Sequence, residues 1–239
     1  MYRSPDLSII VLCYRSSNSV REFVPRTIKA LTKDKIKNFE LILVANYHKN
    51  SNDNTPKIVA DLASNDRRIK YIAKQKKGMM GWDMKSGLSI ATGKYLLVID
   101  GDGQMPTEDI GRVYKKIKRE KLDIVKTYRI ERGDSLWRKI ISNVFNIMFA
   151  LFFPGLHVRD INSKPKIISR LAYKKLRLSS DDWFIDAEIM IQARRHNLKI
   201  GEIPTIFLGL TGRRSFIKLT TIIEFIINLI KFRLKEFAV

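Results

Sequence analysis

One cysteine, three histidines and an acid count well below the base count are the first features of this 239-residue chain. The lone Cys13, inside the apolar run "LSIIVLCY", excludes a disulfide framework and a thiolate metal cluster and suits a reducing cytosol. Cys13 itself reads as a core residue rather than a nucleophile. His48 has no second histidine at a metal-binding spacing, so it reads as a loop residue. Uninterrupted apolar runs of the roughly 20 residues that span a bilayer are also missing. The nearest, "FNIMFALFFPGL" and "TTIIEFIINLI", are cut by Pro154 and by Glu224 and Asn228. The start "MYRSPDLSII" lacks the zones of a signal peptide, so an exported protein is not expected. There is no internal repeat, low-complexity tract or interdomain linker, which makes one domain the simplest count. The scarcity of acids leaves a formal net charge of +21, from 45 Lys and Arg against 24 Asp and Glu. The partner should therefore be negative: nucleic acid, anionic lipid or a phosphorylated substrate.

What is present is a 45% hydrophobic composition, enough for a sizeable core. Short Val-, Ile- and Leu-rich runs recur at "LSIIVLCY", "FELILVAN", "IKYIA", "KYLLVID" and "DIVKTY". Helical spacing separates them over 19–32, 54–64, 79–91, 107–120, 136–152 and 184–196. That alternation predicts an α/β fold with a mostly parallel central sheet flanked by helices. In such sheets ligands bind beyond the carboxyl ends of the strands. Tyr14, Asn46, Asp100 and Asp102 fall at three such ends.

The stretch "YLLVIDGDGQMP" sets two carboxylates at the exit of a buried strand, where mutual repulsion and desolvation require a compensating cation or donor. Asp100, Asp102 and Gln104 could hold Mg²⁺ or Mn²⁺, which favour oxygen ligands and take few of them from protein. No glutamate completes a twelve-residue calcium loop. Taken alone, Asp-Gly-Asp-Gly is equally an Asx turn capping the next helix.

The neighbouring motifs, in consistent order over about residues 6–207, resemble the family-2 inverting nucleotide-sugar glycosyltransferases, especially the polyprenyl-phosphate hexose (dolichol-phosphate mannose) synthase branch. "SIIVLCYRSS" resembles the family's first strand and turn, "DGDGQMPTEDI" its Asp-x-Asp turn, and "KKGMMGWDMKSGLSIATGKY" the glycine-spaced helix before it. "YRIERGDSLWRKIIS" resembles its Trp-x-x-Arg-Lys segment, and "WFIDAEIMIQARRHNLKIGEIP" its Phe-Asp-x-Glu helix and Glu-x-Pro strand.

The resemblance implies a single GT-A type (Rossmann-like) domain over 1–215 and an amphipathic helix over 216–239. It implies a metal-dependent hexosyl transfer from a UDP- or GDP-linked sugar to a polyprenyl phosphate or lipid-linked sugar, with Mg²⁺ or Mn²⁺. By match, Asp102 is the principal metal ligand, with Asp100 and Gln104 beside it at the ribose, metal or diphosphate. Arg129 and Arg138 stand where phosphates are gripped. The nucleoside falls to Tyr14, Asn46 and Asp53, and the acceptor or its phosphate to Asp160, Ser163, Glu188, Arg213 and Arg214. Asp186, like Asp182, would act as a general base only for a hydroxyl acceptor, since a phosphate acceptor is already ionised. Asp186 and Glu188 stand two apart on a helix, so one would face the site while the other pairs with Arg194 or Arg195.

Several positions depart from the family pattern. Ala45-Asn46 replaces paired carboxylates, Lys164-Pro165 replaces Gly-Phe in "RDINSKPKIISR", and "GLTGRRSF" shifts the last arginines. These departures keep a non-catalytic scaffold with the transferase fold as one rival reading. A basic nucleic-acid binder is another, but no reader motif or stacking platform supports it.

From Phe216 onward, Leu219, Ile222, Ile223, Ile226 and Ile230 form an apolar stripe that could pack on the domain or lie in a lipid interface. With helix 136–152 and the basic charge, this predicts a peripheral protein on an anionic inner membrane face.

Overall fold

The computed structural model describes the backbone of residues 4–132, 136–156, 158–208 and 219–237, with side chains at all of these but 131–132, 136–143, 219–222 and 237. The strands are β1 (Leu7–Leu12), β2 (Phe39–Val44), β3 (Ile69–Ile72), β4 (Tyr95–Asp100), β5 (Ile124–Arg132), β6 (Lys166–Ser169) and β7 (Ile200–Phe207). The helices are α1 (Asn18–Lys33), α2 (Thr55–Asn65), α3 (Met80–Ile90), α4 (Glu108–Arg119), α5 (Leu136–Phe152), α6 (Arg170–Tyr173), α7 (Ile185–Arg195) and α8 (Leu219–Phe237). From β1 to α6 they alternate with the strands as the sequence predicts, and α7 follows α6 directly.

All seven strands form one sheet in the order β3-β2-β1-β4-β6-β5-β7, in which β6 runs antiparallel to both neighbours and the other pairings are parallel. Successive side chains of a strand point to opposite faces, and both faces are covered. Leu7, Ile9 and Val11 of β1 join one core with Leu41, Leu43, Leu97, Ile99 and residues of α1, α2 and α4. Ile10 and Leu12 join the other with Ile42, Val44, Leu96, Val98 and residues of α3, α5, α7 and α8. This double burial is why the strands read as unbroken apolar runs.

The chain builds outward from β1 to β3, then returns to place β4 on the other side of β1. The strand order reverses there, and in this architecture the switch point is where a ligand crevice opens. Leu12 stands in register with Asp100, so the exits of β1 and β4 lie side by side. Arg170 braces the turn before β4: its Nε donates to the Gly93 carbonyl at 2.6 Å and an Nη to that of Ala91 at 2.9 Å.

Periodicity misses β6, which is four residues long and carries a buried lysine, and β7, which enters only through the resemblance. Helix α8 has two apolar faces. Phe225 and Leu229 are buried against the domain, with the Phe225 ring 3.6 Å from that of Phe145 on α5. Ile223, Ile227, Ile230 and Leu234 are 44–62% exposed on the other face. The single stripe expected from the sequence is thereby corrected: Ile223 and Ile230 point outward, Ile226 is half-buried, and the side chains of Leu219 and Ile222 lie outside the described residues. Core packing and an open apolar surface coexist because the apolar arc is wide enough for both. No helix among the described residues is long and apolar enough to cross a membrane.

Candidate active site

The carboxylate turn is held against β1. Gly101 N–H donates to the Leu12 carbonyl at 2.9 Å, and Ser19 Oγ donates to the Gly101 carbonyl at 3.3 Å. Gly103 has φ +79°, a conformation that favours glycine. Asp102 Oδ1 accepts from Gln104 N–H at 3.0 Å, an Asx turn, the alternative that the stretch taken alone allows. Leu208 N–H donates to the Gln104 carbonyl at 3.0 Å, tying the turn to the end of β7, and Gln104 Nε2 donates to the Leu208 carbonyl at 3.4 Å. Asp100 and Asp102 therefore sit on a turn fixed from both sides.

A second layer lies beneath Asp100. Lys164, only 3% exposed in its side chain, places Nζ 3.7 Å from Asp100 Oδ2 and 2.9 Å from Asp186 Oδ2. Asp186, in the first turn of α7, is fully buried, and its Oδ1 lies 2.5 Å from Lys166 Nζ on β6. Lys166 also donates to the Ile161 carbonyl at 3.1 Å. Beside them Lys126 donates to the Thr127 carbonyl at 2.9 Å, to that of Arg159, and to Glu202 at 2.9 Å.

Charges buried this deeply persist only when paired. Burial alone would raise the Asp186 carboxyl, but Lys164 and Lys166 outweigh it and hold the group below the usual carboxylate range. Burial opposes protonation of Lys164, yet Asp100 and Asp186 raise it above an ordinary lysine. Lys166, with Asp186 as its chief partner and two other lysines nearby, is pulled down by burial to about 8. An ionised Asp186 clamped between two lysines is poorly matched to general-base work, which favours a group poised near the operating pH. Asp182, the other candidate base, accepts from Phe184 N–H at 2.8 Å and from Asn228 Nδ2 at 2.6 Å, tying α8 to the loop before α7.

In the second half of β5 the Arg129 guanidinium closes on Asp160 as a fork, Nε to Oδ2 and Nη2 to Oδ1, each at 2.6 Å. Arg129 thus meets a carboxylate at the crevice edge, where the sequence reading expected phosphate. Ser163 is buried, its Oγ 2.7 Å from Thr127 Oγ1, and supports the segment before β6 that carries Lys164. Glu188 turns away from Asp186: it accepts from Ser179 N–H and Oγ and from Ser180 N–H, each at 2.8 Å. The expected pairing of Glu188 with Arg194 or Arg195 is not made, because Arg194 pairs with Glu236 at 3.0 Å and backbone donors satisfy Glu188. The side chain of Arg138, and Arg213 and Arg214 altogether, lie outside the described residues.

On the β1–β2 side, Tyr14 is half-buried, with Lys76 Nζ 4.2 Å from its ring centroid and His48 edge-on at 5.9 Å. Asn46 has no accessible surface; its Nδ2 donates to Asp83 at 2.9 Å and its Oδ1 accepts from Lys74 N–H at 2.9 Å. Its side chain underpins the crevice rather than offering it an open edge. Asp83, buried on α3, also pairs with Lys76, and burial raises its carboxyl despite that partner. Asp53 Oδ1 accepts from Thr55 N–H at 3.0 Å and from the Thr55 hydroxyl, leaving a buried Oδ2 without a hydrogen-bond partner among the described residues. Sequence reasoning missed Lys76, Asp83, Lys164 and Lys166 as site-forming residues. The available signal was charged residues inside otherwise buried segments.

No group of three or more His, Cys, Asp or Glu among the described residues could hold a metal ion alone. Two strand-end carboxylates nonetheless suit a hard divalent cation that draws its remaining oxygens from a diphosphate and water. The donor set fits a cation that binds together with a nucleotide.

Comparison with known proteins bears on the fold and the family. The chain is 28% identical over 228 residues to a dolichyl-phosphate β-glucosyltransferase of Dictyostelium discoideum, covering 87% of this chain and 68% of that one. It is 30% identical over 145 residues to an undecaprenyl-phosphate 4-deoxy-4-formamido-L-arabinose transferase of Pectobacterium atrosepticum, 60% of this chain and 42% of the relative. Its fold matches that of glucosyl-3-phosphoglycerate synthase from Mycobacterium tuberculosis, crystallised with Mn²⁺, uridine diphosphate and phosphoglyceric acid. The TM-score is 0.72 at 16% identity, over 96% of this chain and 78% of that one. The fold is GT-A, the chain is a glycosyltransferase, and with residues 8–177 matching the sequence profile of Glycosyl transferase family 2, it belongs to that family.

Proposed function

We propose that this enzyme transfers a hexose from a UDP- or GDP-linked donor to a polyprenyl phosphate at a membrane surface, with Mg²⁺ or Mn²⁺ as cofactor. The observation that carries this reading is the clamping of Asp186 by Lys164 and Lys166. A hydroxyl acceptor needs a base where Asp186 sits, whereas a phosphate monoester arrives as an anion and attacks without one. The names of the relatives, which specify lipid phosphates, support the same choice over a lipid-linked sugar.

In this reading Asp102, with Asp100 and Gln104, holds the cation, which when bound supplies positive charge to the departing diphosphate. The chain's own residues do the rest. Lys164 adds a fixed positive charge at the floor of the crevice, oriented before substrate arrives. Arg129, held flat by Asp160, is positioned to share its guanidinium with a phosphate. Tyr14 and Asp53 line the nucleoside side. Attack from the face opposite the leaving diphosphate inverts the anomeric configuration.

The membrane enters through α5 and α8. Val144, Ile147 and Leu151 on α5, a helix that packs against α8 through Phe145 and Phe225, are 51–75% exposed at helical spacing. A lipid interface would bury both stripes, and the +21 charge would draw the protein to an anionic leaflet. A nucleotide-sugar donor and a lone buried cysteine suit the cytoplasmic side.

The test is a panel of UDP- and GDP-sugars offered with a polyprenyl phosphate in detergent or vesicles. Metal-dependent formation of a lipid-phosphate sugar supports the proposal. Donor binding without any transfer would instead support a scaffold.

A further inference from the structure

A cleft of about 450 Å³ lies on α7, lined in part by Lys175, Arg177, Ile191, Arg195, Phe232 and Lys235. It is separate from the carboxylate turn. Its two acids are already engaged: Glu188 accepts from Ser179, Ser180 and Gln192, and Glu236 pairs with Arg194 and Arg233. Lys175, Arg177, Arg195 and Lys235 are all exposed, and among the described residues none of them has an ion-pair partner. Ile191 and Phe232 add an apolar surface, with Lys235 Nζ 5.2 Å from the Phe232 ring centroid. Phe232 and Lys235 belong to α8, whose outer face presents Ile227, Ile230 and Leu234 to solvent.

We infer that this cleft is a second phosphate-binding site, and that its ligand is the headgroup of an anionic phospholipid. Four cations outnumber the two engaged acids and suit a phosphodiester, and two guanidinium forks suit its oxygens. The apolar lining suits the glycerol and the first methylenes. Continuity with α8 sets the headgroup at the level where that helix would meet the acyl boundary. The lipid would thus act as a docking ligand that orients the transferase, separate from donor and acceptor. This assignment rests on the membrane reading above.

Sedimentation with phosphatidylglycerol and phosphatidylcholine vesicles tests it. The triple variant Arg177→Gln, Arg195→Gln, Lys235→Gln is compared with Lys29→Gln, Lys33→Gln, Lys37→Gln, which removes the same charge from exposed lysines on and just after α1, across the sheet. Wild type should bind phosphatidylglycerol in preference to phosphatidylcholine. The cleft variant should lose about tenfold or more in affinity, and the α1 variant less than about threefold. Equal losses would mean diffuse charge attraction and overturn the site, as would full binding by the cleft variant. Soluble glycerol phosphate serves as a separate probe by calorimetry. Cleft-dependent binding of it without vesicle binding would overturn the lipid as ligand. Nucleotide-sugar binding, measured on the same preparations, should be unchanged in both variants. Its absence from wild type would count against the donor reading and leave the cleft result standing.

Discussion

Lys164 Nζ lies 2.9 Å from Asp186 Oδ2, and the same nitrogen reaches to 3.7 Å from Asp100 Oδ2 at the crevice floor. One buried cation thus links the acid of α7 to the carboxylate turn of β4. Asp186→Ala would leave Lys164 and Lys166 buried without their shared partner. Removing one side of a buried ion pair costs about 3–5 kcal/mol. Denaturant unfolding should show a loss of that size, with activity falling as the fold does. A fully stable, inactive Asp186→Ala would instead indicate a general base.

Lys164→Met is expected to behave differently, because Asp186 keeps Lys166. The fold should survive, while turnover falls about tenfold or more as a preoriented positive charge is lost from the crevice floor. Parallel melting curves and steady-state kinetics separate the two effects. Wild-type turnover in this variant would remove Lys164 from the site.

Lys166 makes the stability depend on pH in a defined direction. Its ammonium is pulled from 10.5 to about 8 in the fold. Below pH 8 both folded and unfolded chains carry the proton, and the burial penalty is fully felt. Between about 8 and 10.5 the folded chain has released it while the unfolded chain still binds it, so folding stability rises with pH. The difference in unfolding free energy between wild type and Lys166→Met, followed by urea titration at several pH values, should shift in favour of wild type from pH 8 to 10. A flat difference would contradict the assignment.

The two faces of α8 should separate in experiment. Ile227→Ser with Ile230→Ser removes apolar surface that is 58% and 44% exposed. Stability should change little, while binding to anionic vesicles falls. Leu229→Ala, at a fully buried position, should cost about 2–5 kcal/mol of stability. Equal destabilisation by both changes would place the outer stripe in a packed interface.

The strands were readable because helices cover both faces of the sheet, so β1, β2 and β4 had no polar alternation to obscure them. The carboxylate turn was readable for the opposite reason: two acids and two glycines at a strand exit break the apolar pattern abruptly. The Lys164–Asp186–Lys166 cluster was not, because Asp186 lies about 20 residues from the two lysines and a lysine in a basic chain reads as surface. Strand β6 was hidden by its own Lys166 and by its short length. Asn46 looked like an open amide because the sequence does not show that Asp83, 37 positions away, returns to meet it. The second apolar face of α8 was obscured because one continuous run of isoleucines served both the core and the exterior.

The most direct test of the account is the transfer of labelled hexose from a matched nucleotide sugar to polyprenyl phosphate, titrated with Mn²⁺ or Mg²⁺, in wild type and in Asp102→Asn. The wild-type enzyme should form the lipid-phosphate sugar only with metal present. Asp102→Asn should fold normally, bind metal weakly in the presence of the nucleotide, and lose about a hundredfold or more in transfer. Undiminished, metal-independent transfer by Asp102→Asn would contradict the claim that the turn at the end of β4 is the metal centre of this transferase.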